Sequence, residues 1–160
     1  MTTHLVWLRN DLRITDNKAL HAACIDPEAR VLAVFIATPQ QWRQHEMAPR
    51  QAALIHASLQ AVQQALAHKG IALHCHSCAD FAATIDWLAD YCEREQVDAL
   101  FYNRQYELNE RRRDARLEQR LSGRVRCHGF DDSLLLPPGS VLTGGEMYKV
   151  YTPFRNAFLQ

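Results

Sequence analysis

The stretch HLVWLRNDLRITDNKAL, residues 4–20, decides how this chain is built. Leu5–Leu8 is a short apolar run rich in strand formers, as a strand covered on both faces should be. The run stops abruptly at charge, with Arg9, Asp11, Arg13 and Asp16. Asp16 or Asn17 can then cap a helix that continues through Lys18–Cys24. Strand, charged loop and helix in so short a span open a βαβ unit. In open parallel sheets the loops at the carboxyl ends of strands face the ligand crevice, which places Arg9–Thr15 at that edge. Taken singly, the same charges serve equally well as ion pairs and helix caps.

Working outward, residues 30–37 (RVLAVFIA) form a second buried strand, broken by Thr38-Pro39. A short helical turn is expected over 40–45. A longer helix should run from Pro49 to about Lys69, with Ile55, Leu59, Val62 and Leu66 along one face and Gly70 ending it. A third strand is read at 71–76. Asp80 should cap the next helix, with Phe81, Ile85, Leu88 and Cys92 as its buried stripe. Strand four is read at 98–103. After a polar loop, a charged helix is expected over 110–121 with Asn109 as cap, and strand five at 124–127. Residues 131–160 change character, with Pro137-Pro138, Gly144-Gly145 and few periodic positions. Thr152 and Pro153 should open a last helix as cap and first residue. Alternating strands and helices predict an α/β, Rossmann-like fold: a five-stranded parallel sheet ordered 3-2-1-4-5 with helices on both faces. The switch point then falls between strands one and four, where the loops 9–15 and 104–109 meet.

At 160 residues one domain is expected. Lys plus Arg and Asp plus Glu number 18 each, so the formal charge is zero. A dedicated nucleic-acid-binding domain would show a basic excess, so any hold on DNA by this stretch should be weak. The start, Met1-Thr2-Thr3-His4, lacks the basic stretch of a secretory leader. Five cysteines (Cys24, Cys75, Cys78, Cys92 and Cys127) fit no disulfide framework, and a reducing cytoplasm is expected.

Common signatures are missing. The sequence has no G-x-G-x-x-G, no Walker-type loop and no G-x-S-x-G elbow. HCHSC at 74–78 has one C-x-x-C where tetrahedral zinc needs four ligands, and strand alternation splits Cys75 from His74 and His76. No metal site is expected. Arg111–Arg113 read as a solvated helix face that Glu110, Asp114 and Glu118 neutralise locally. Asn109-Glu110 is the most informative polar pair. An amide and a carboxylate beside the crevice suit the donor and acceptor edge of a pterin. They also suit a helix cap and its favourable first-turn charge.

Several stretches together carry a resemblance: WLRNDLRITDN (7–17), TPQQWRQHEMAPRQ (38–51), FYNRQYELNERRRD (101–114) and GFDDSLLLPPGSVLTGGEMYKVYTPFRNAF (129–158). The chain resembles the amino-terminal domain of bacterial class I cyclobutane pyrimidine dimer photolyases, of the photolyase/cryptochrome family. Leu8 stands where the family commonly has a second aromatic, and Phe158 where Trp is usual.

The resemblance implies residues 1–130 as an α/β antenna domain and 131–160 as the start of an interdomain linker and first helix, with the helical FAD-binding domain absent. It implies light-driven repair of pyrimidine dimers in DNA by a carbon–carbon lyase. Catalysis would belong to FAD in that absent domain, which would also contact damaged DNA. No catalytic residue is expected here, and this piece alone should be inactive. A methenyltetrahydrofolate antenna is implied, with His45, Asn109 and Glu110 as cofactor contacts. With part of the pocket wall absent, folate binding by this piece should be weak. Trp7, Trp42 and Trp87 should be core or rim residues. The last helix should fray, and Tyr148, Tyr151, Phe154 and Phe158 should form an apolar patch. A monomer without membrane contact is expected. A cryptochrome-type photosensory domain or a stand-alone nucleotide-binding stress-protein-like module are the alternatives.

Overall fold

Strand β1, the first element of the computed structural model, which describes residues 2–160, is Thr3–Leu8 and is buried along its whole length. It is followed by α1 (Lys18–Ala23), β2 (Arg30–Ala37), α2 (Pro39–Gln44), α3 (Pro49–Ala67), β3 (Ala72–Ser77) and α4 (Phe81–Arg94). Then come β4 (Ala99–Asn103), α5 (Leu108–Leu121), β5 (Arg126–Phe130) and α6 (Tyr151–Phe158). The sheet runs β3-β2-β1-β4-β5 and every pairing is parallel, as expected.

Strand alternation sorts the core into two layers. Leu5 and Trp7 pack with Leu88, Cys92, Leu117 and Leu121 under α4 and α5. Val6 and Leu8 pack with Leu20, Val62, Leu66 and Phe101 under α1 and α3. Helices on opposite faces for the two directions of travel are what right-handed crossovers require.

The local signals acted largely as read. Asn17 is the cap of α1, its side chain accepting Leu20 N at 3.0 Å. Asp16 makes the turn into it in the left-handed region, at φ 49°. Asp80 caps α4 through Ala83 N at 2.9 Å. Of the α3 stripe, Val62 and Leu66 are buried while Ile55 and Leu59 pack only partly, because their end of the helix overhangs a cleft.

The starts of α5, β5 and α6 each lie two residues from the sequence reading. α5 begins at Leu108 with Glu107 as cap, so Asn109 is an exposed residue of the first turn. Arg111 N bonding to Glu107 O closes that turn. β5 starts two residues late because Arg124 N and Val125 N both turn back to Leu121 O through Gly123, at φ 77°. α6 starts at Tyr151 after an extended Val150. Pro153 still lies in the first turn, where its missing N–H costs no helical bond.

Gly144 and Gly145 carry no phosphate-type loop. Both have positive φ, 58° and 84°, and they make the turn of a small hairpin closed by Thr143 and Glu146.

Candidate functional site

The loops after β1 and β4 do meet, and they are stitched together. Asn103 Nδ2 donates to Asp11 at 2.7 Å and to Asn17 Oδ1 at 2.9 Å, while its own Oδ1 accepts Ala19 N. Arg9 Nη1 donates to both oxygens of Asp114 at 2.8 Å, and its Nη2 to the carbonyl of Asn103. The Arg9 guanidinium lies against the rings of Trp7 and Tyr102, at 4.7 and 4.8 Å from their centroids.

Arg113 joins the same carboxylate, its Nε and Nη2 lying 3.0 and 2.8 Å from Asp114 Oδ1. Its Nη2 also donates to Gln105 Oε1 at 2.9 Å. The group lies over Trp7 and Phe81. Burial pulls the Arg113 guanidinium below the usual arginine range, with Asp114 opposing and Arg9 adding to the pull. Arg113 is therefore a core residue, and the solvated face expected of Arg111–Arg113 holds only for the two that precede it. Of the acids of α5, Asp114 does neutralise Arg113, while Glu118 accepts the Tyr102 hydroxyl and, among the described residues, no carboxylate pairs with Arg111 or Arg112.

With the β1–β4 junction filled, the open space shifts toward β2. A cleft of about 710 Å³ lies past the carboxyl ends of β1 and β2. Its floor is Trp7, Arg9, Phe35 and Thr38. α2 and the turn after it supply Gln41, Trp42, His45 and Met47, and α3 supplies Gln51, Ile55 and Ser58. The far wall is Phe81, Thr84, Gln105, Glu110 and Arg113. The size falls within the usual range for small-molecule sites. Among the described residues, two that line it, Arg9 and Gln41, each carry a buried side-chain atom without a partner, Nε and Oε1. The Glu110 carboxylate, the amides of Gln41 and Gln51 and flat aromatic walls together suit a planar heterocycle bearing N–H groups and ring acceptors.

Of the sequence-derived candidates, His45 and Glu110 border this one cleft. Asn109 does not; it lines a smaller adjoining cleft of about 360 Å³, with His45, Arg112 and Arg116. That separation follows from the helix start: one residue along α5 is a rotation of about 100°. The sequence reading missed Gln41, Gln51, Trp42 and Phe81 as wall residues. Their signal was weak, since each also fits a helix that merely packs on the sheet.

Elsewhere, HCHSC lies on the edge strand. His76 stacks on Trp87 with centroids 4.3 Å apart and planes at 11°. Burial, then His74 and Arg94, lower the His76 pKa. Cys75 is in register with Phe35, which belongs to the other core layer. Among the described residues no three His, Cys, Asp or Glu side chains are grouped to hold a metal. None of the described helices is long and apolar enough to cross a membrane. Trp7 is fully buried and Trp42 and Trp87 pack at the edges of the core. Tyr148, Tyr151, Phe154 and Phe158 form a ladder of rings 5.8–6.5 Å apart, beside the exposed Met147 and Val150.

Comparison with known proteins gives a consistent result. The DNA photolyase family profile matches residues 4–160. The chain is 59% identical to the deoxyribodipyrimidine photo-lyase of Salmonella typhimurium and 56% identical to that of Escherichia coli. Each alignment takes in 100% of this chain and 34% of the relative, so the chain spans about a third of the length of these curated relatives. A class III photolyase from Agrobacterium tumefaciens superposes with a TM-score of 0.73 at 28% identity, over 98% of this chain and 32% of that one. A cryptochrome from Synechocystis superposes with a TM-score of 0.79 at 20% identity, over 99% of this chain and 33% of that one, a likeness of fold alone.

Proposed function

The chain belongs to the DNA photolyase family, and on that premise we propose that it is the light-collecting α/β domain of a deoxyribodipyrimidine photolyase. In this reading residues 1–130 are the antenna domain, and 131–160 lead toward a helical domain that carries FAD and meets damaged DNA. The ring ladder of Tyr148, Tyr151, Phe154 and Phe158 is the surface that meets it. The free thiols Cys24, Cys75, Cys78, Cys92 and Cys127 suit the cytoplasm.

The proposed antenna is methenyltetrahydrofolate, and the residues present fit it. The carrying observation is that Glu110 and His45 border one cleft that Gln41, Trp42 and Phe81 also line. Glu110 would accept N–H groups of the pterin, Gln41 would accept a further one, and Trp42 and Phe81 would hold the ring plane. Asn109, in the adjoining cleft, would touch the ligand beyond the ring. When bound, such a folate absorbs near-ultraviolet light and passes excitation on. The Arg9–Asp114–Arg113 group keeps the cleft wall rigid, which fixes the orientation of whatever binds.

The test is a titration of the full-length protein with methenyltetrahydrofolate, followed by near-ultraviolet absorbance. Binding should saturate, and Glu110→Ala should remove most of it. Undiminished folate content in Glu110→Ala and His45→Ala proteins would refute the site. Light-dependent repair of a thymine dimer by the full-length protein tests the activity itself.

A further inference from the structure

Two consecutive aspartates stand where the sheet ends and residues 131–160 begin. Asp131 and Asp132 follow directly on Phe130, the last residue of β5. Both loops that meet at the switch point reach out to hold them. From the β1 side, Arg13 Nη2 donates to Asp132. Lys18 donates twice, its backbone N to Asp132 Oδ1 at 3.1 Å and its Nζ to the Asp131 carbonyl at 2.5 Å. From the β4 side, Arg104 Nη1 donates to Asp131 Oδ2 at 3.2 Å and the Tyr106 hydroxyl to Asp131 Oδ1 at 2.9 Å. Arg104 N also donates to the Phe130 carbonyl at 2.8 Å. Arg13 and Gln105, on these same loops, line the larger cleft. The Asp132 side chain is only 2% exposed, and burying a carboxylate is costly unless it is paired. A slack tether would need no such pairing.

Beyond this point the ties to the sheet stop. Among the described residues, the hydrogen bonds of 134–160 outside α6 are local: Ser140 N to Pro137 O, Thr143 with Glu146, and Leu159 N to Arg155 O. The two aspartates are the last polar anchor between the body of the domain and the chain that leads on. Hinge freedom belongs to a few residues at element ends, and here those residues are bonded from two sides.

We propose that Asp131 and Asp132 are positioning residues for excitation transfer. They fix the exit of the chain against the loops that border the antenna cleft, and so fix how the flavin of the second domain faces the antenna. The inference rests on the two-domain reading above. Transfer of excitation falls steeply with separation and depends on relative orientation. The bond-splitting chemistry, carried within the second domain, depends on neither. Loosening the anchor therefore acts on the collected light and leaves repair itself intact.

The full-length protein is compared with its Asp131→Asn/Asp132→Asn variant. Asparagine keeps the size and an acceptor oxygen, and the Arg13 and Arg104 side chains, 41% and 47% exposed, can turn to water. The fold should survive, as melting curves check. Without folate, limited proteolysis within residues 133–142 should be faster in the variant. With flavin and methenyltetrahydrofolate bound, folate content and repair under light absorbed by flavin alone should match the unaltered protein. Folate emission should rise, and repair driven by near-ultraviolet excitation of the folate should lose most of its gain. Arg104→Gln should show a smaller loss of the same kind, and Arg104→Lys should recover part of it. Unchanged proteolysis, or unchanged emission at equal folate content, overturns the anchor and leaves the folate site standing. A parallel loss of folate content or of flavin-driven repair means that the pair holds the cleft or the fold, and also overturns it. Full-length protein that binds no folate overturns this inference and the antenna reading together.

Discussion

Asp114 in α5 accepts the Arg9 guanidinium on both carboxylate oxygens at 2.8 Å, joining residues 105 positions apart in the sequence. The same carboxylate holds Arg113 at 2.8 Å. One buried anion therefore serves two buried cations, and it ties the loop after β1 to the helix after β4.

Removing that anion should be severe. Asp114→Ala leaves two guanidiniums desolvated without a counter-charge, a change that costs about 3–5 kcal/mol in buried pairs. Urea unfolding should show the loss as a lower midpoint at unchanged slope. Glu110→Gln, four residues earlier on the same face, should move stability by less than about 1 kcal/mol, since among the described residues its carboxylate makes no ion pair. Equal effects of the two substitutions would refute the assigned roles.

Glu110 and Asn109 should separate functionally. Glu110 borders the larger cleft, and loss of a charged hydrogen-bond acceptor costs about 1.5–3 kcal/mol, so Glu110→Ala should weaken folate binding roughly ten- to a hundredfold. Asn109 is exposed in the adjoining cleft, and Asn109→Ala should cost roughly two- to threefold. Absorbance titrations of the two full-length variants measure the difference. A larger loss in Asn109→Ala would place the ring in the smaller cleft instead.

The thiols should divide by exposure. Cys24 and Cys75 are exposed, so a thiol reagent at pH 8 should label two sites quickly and the others only after unfolding. Burial, with Cys127 nearby, pushes Cys92 from 9.0 up to about 12. Burial, with Glu118 nearby, pushes Cys127 up to about 11. Above pH 9 the unfolded chain releases protons that the folded chain keeps, so the unfolded state binds fewer and stability falls with rising pH. The contribution is whole below pH 9 and is lost through 11 to 12. The melting temperature should be flat from pH 7 to 8.5 and decline above 9, less steeply in Cys92→Ala. A profile as steep in that variant would rule out this cause.

Gly129 in β5 has no room for a side chain. A Cβ there would lie 3.0 Å from Cε2 of Tyr102 and 3.1 Å from Nε of Arg104. Tyr102 is fully buried, packs against Trp7 and donates to Glu118, so its ring cannot yield. Gly129→Ala should cost about 1–3 kcal/mol, the usual cost of overpacking, read from denaturant midpoints. Gly123→Asn, at φ 77° with open space around it, should cost less.

Order and facing were legible in the residues alone. The apolar run at 5–8, the helix stripe through Val62 and Leu66 and the alternation of elements gave the parallel sheet and its strand order. They could do so because strand and helix periods are local, and chirality leaves few ways to connect parallel strands. Tertiary structure decided where the crevice opens and which α5 charges matter. Arg111, Arg112 and Arg113 look alike in sequence, yet one is buried against Trp7 and the next lines an exposed wall. That choice depends on where α5 starts and on β1 lying beside β4, which brings Arg9 to Asp114. Pairing across 105 residues is set by sheet register and helix rotation together, and neither is written in any short stretch of the chain.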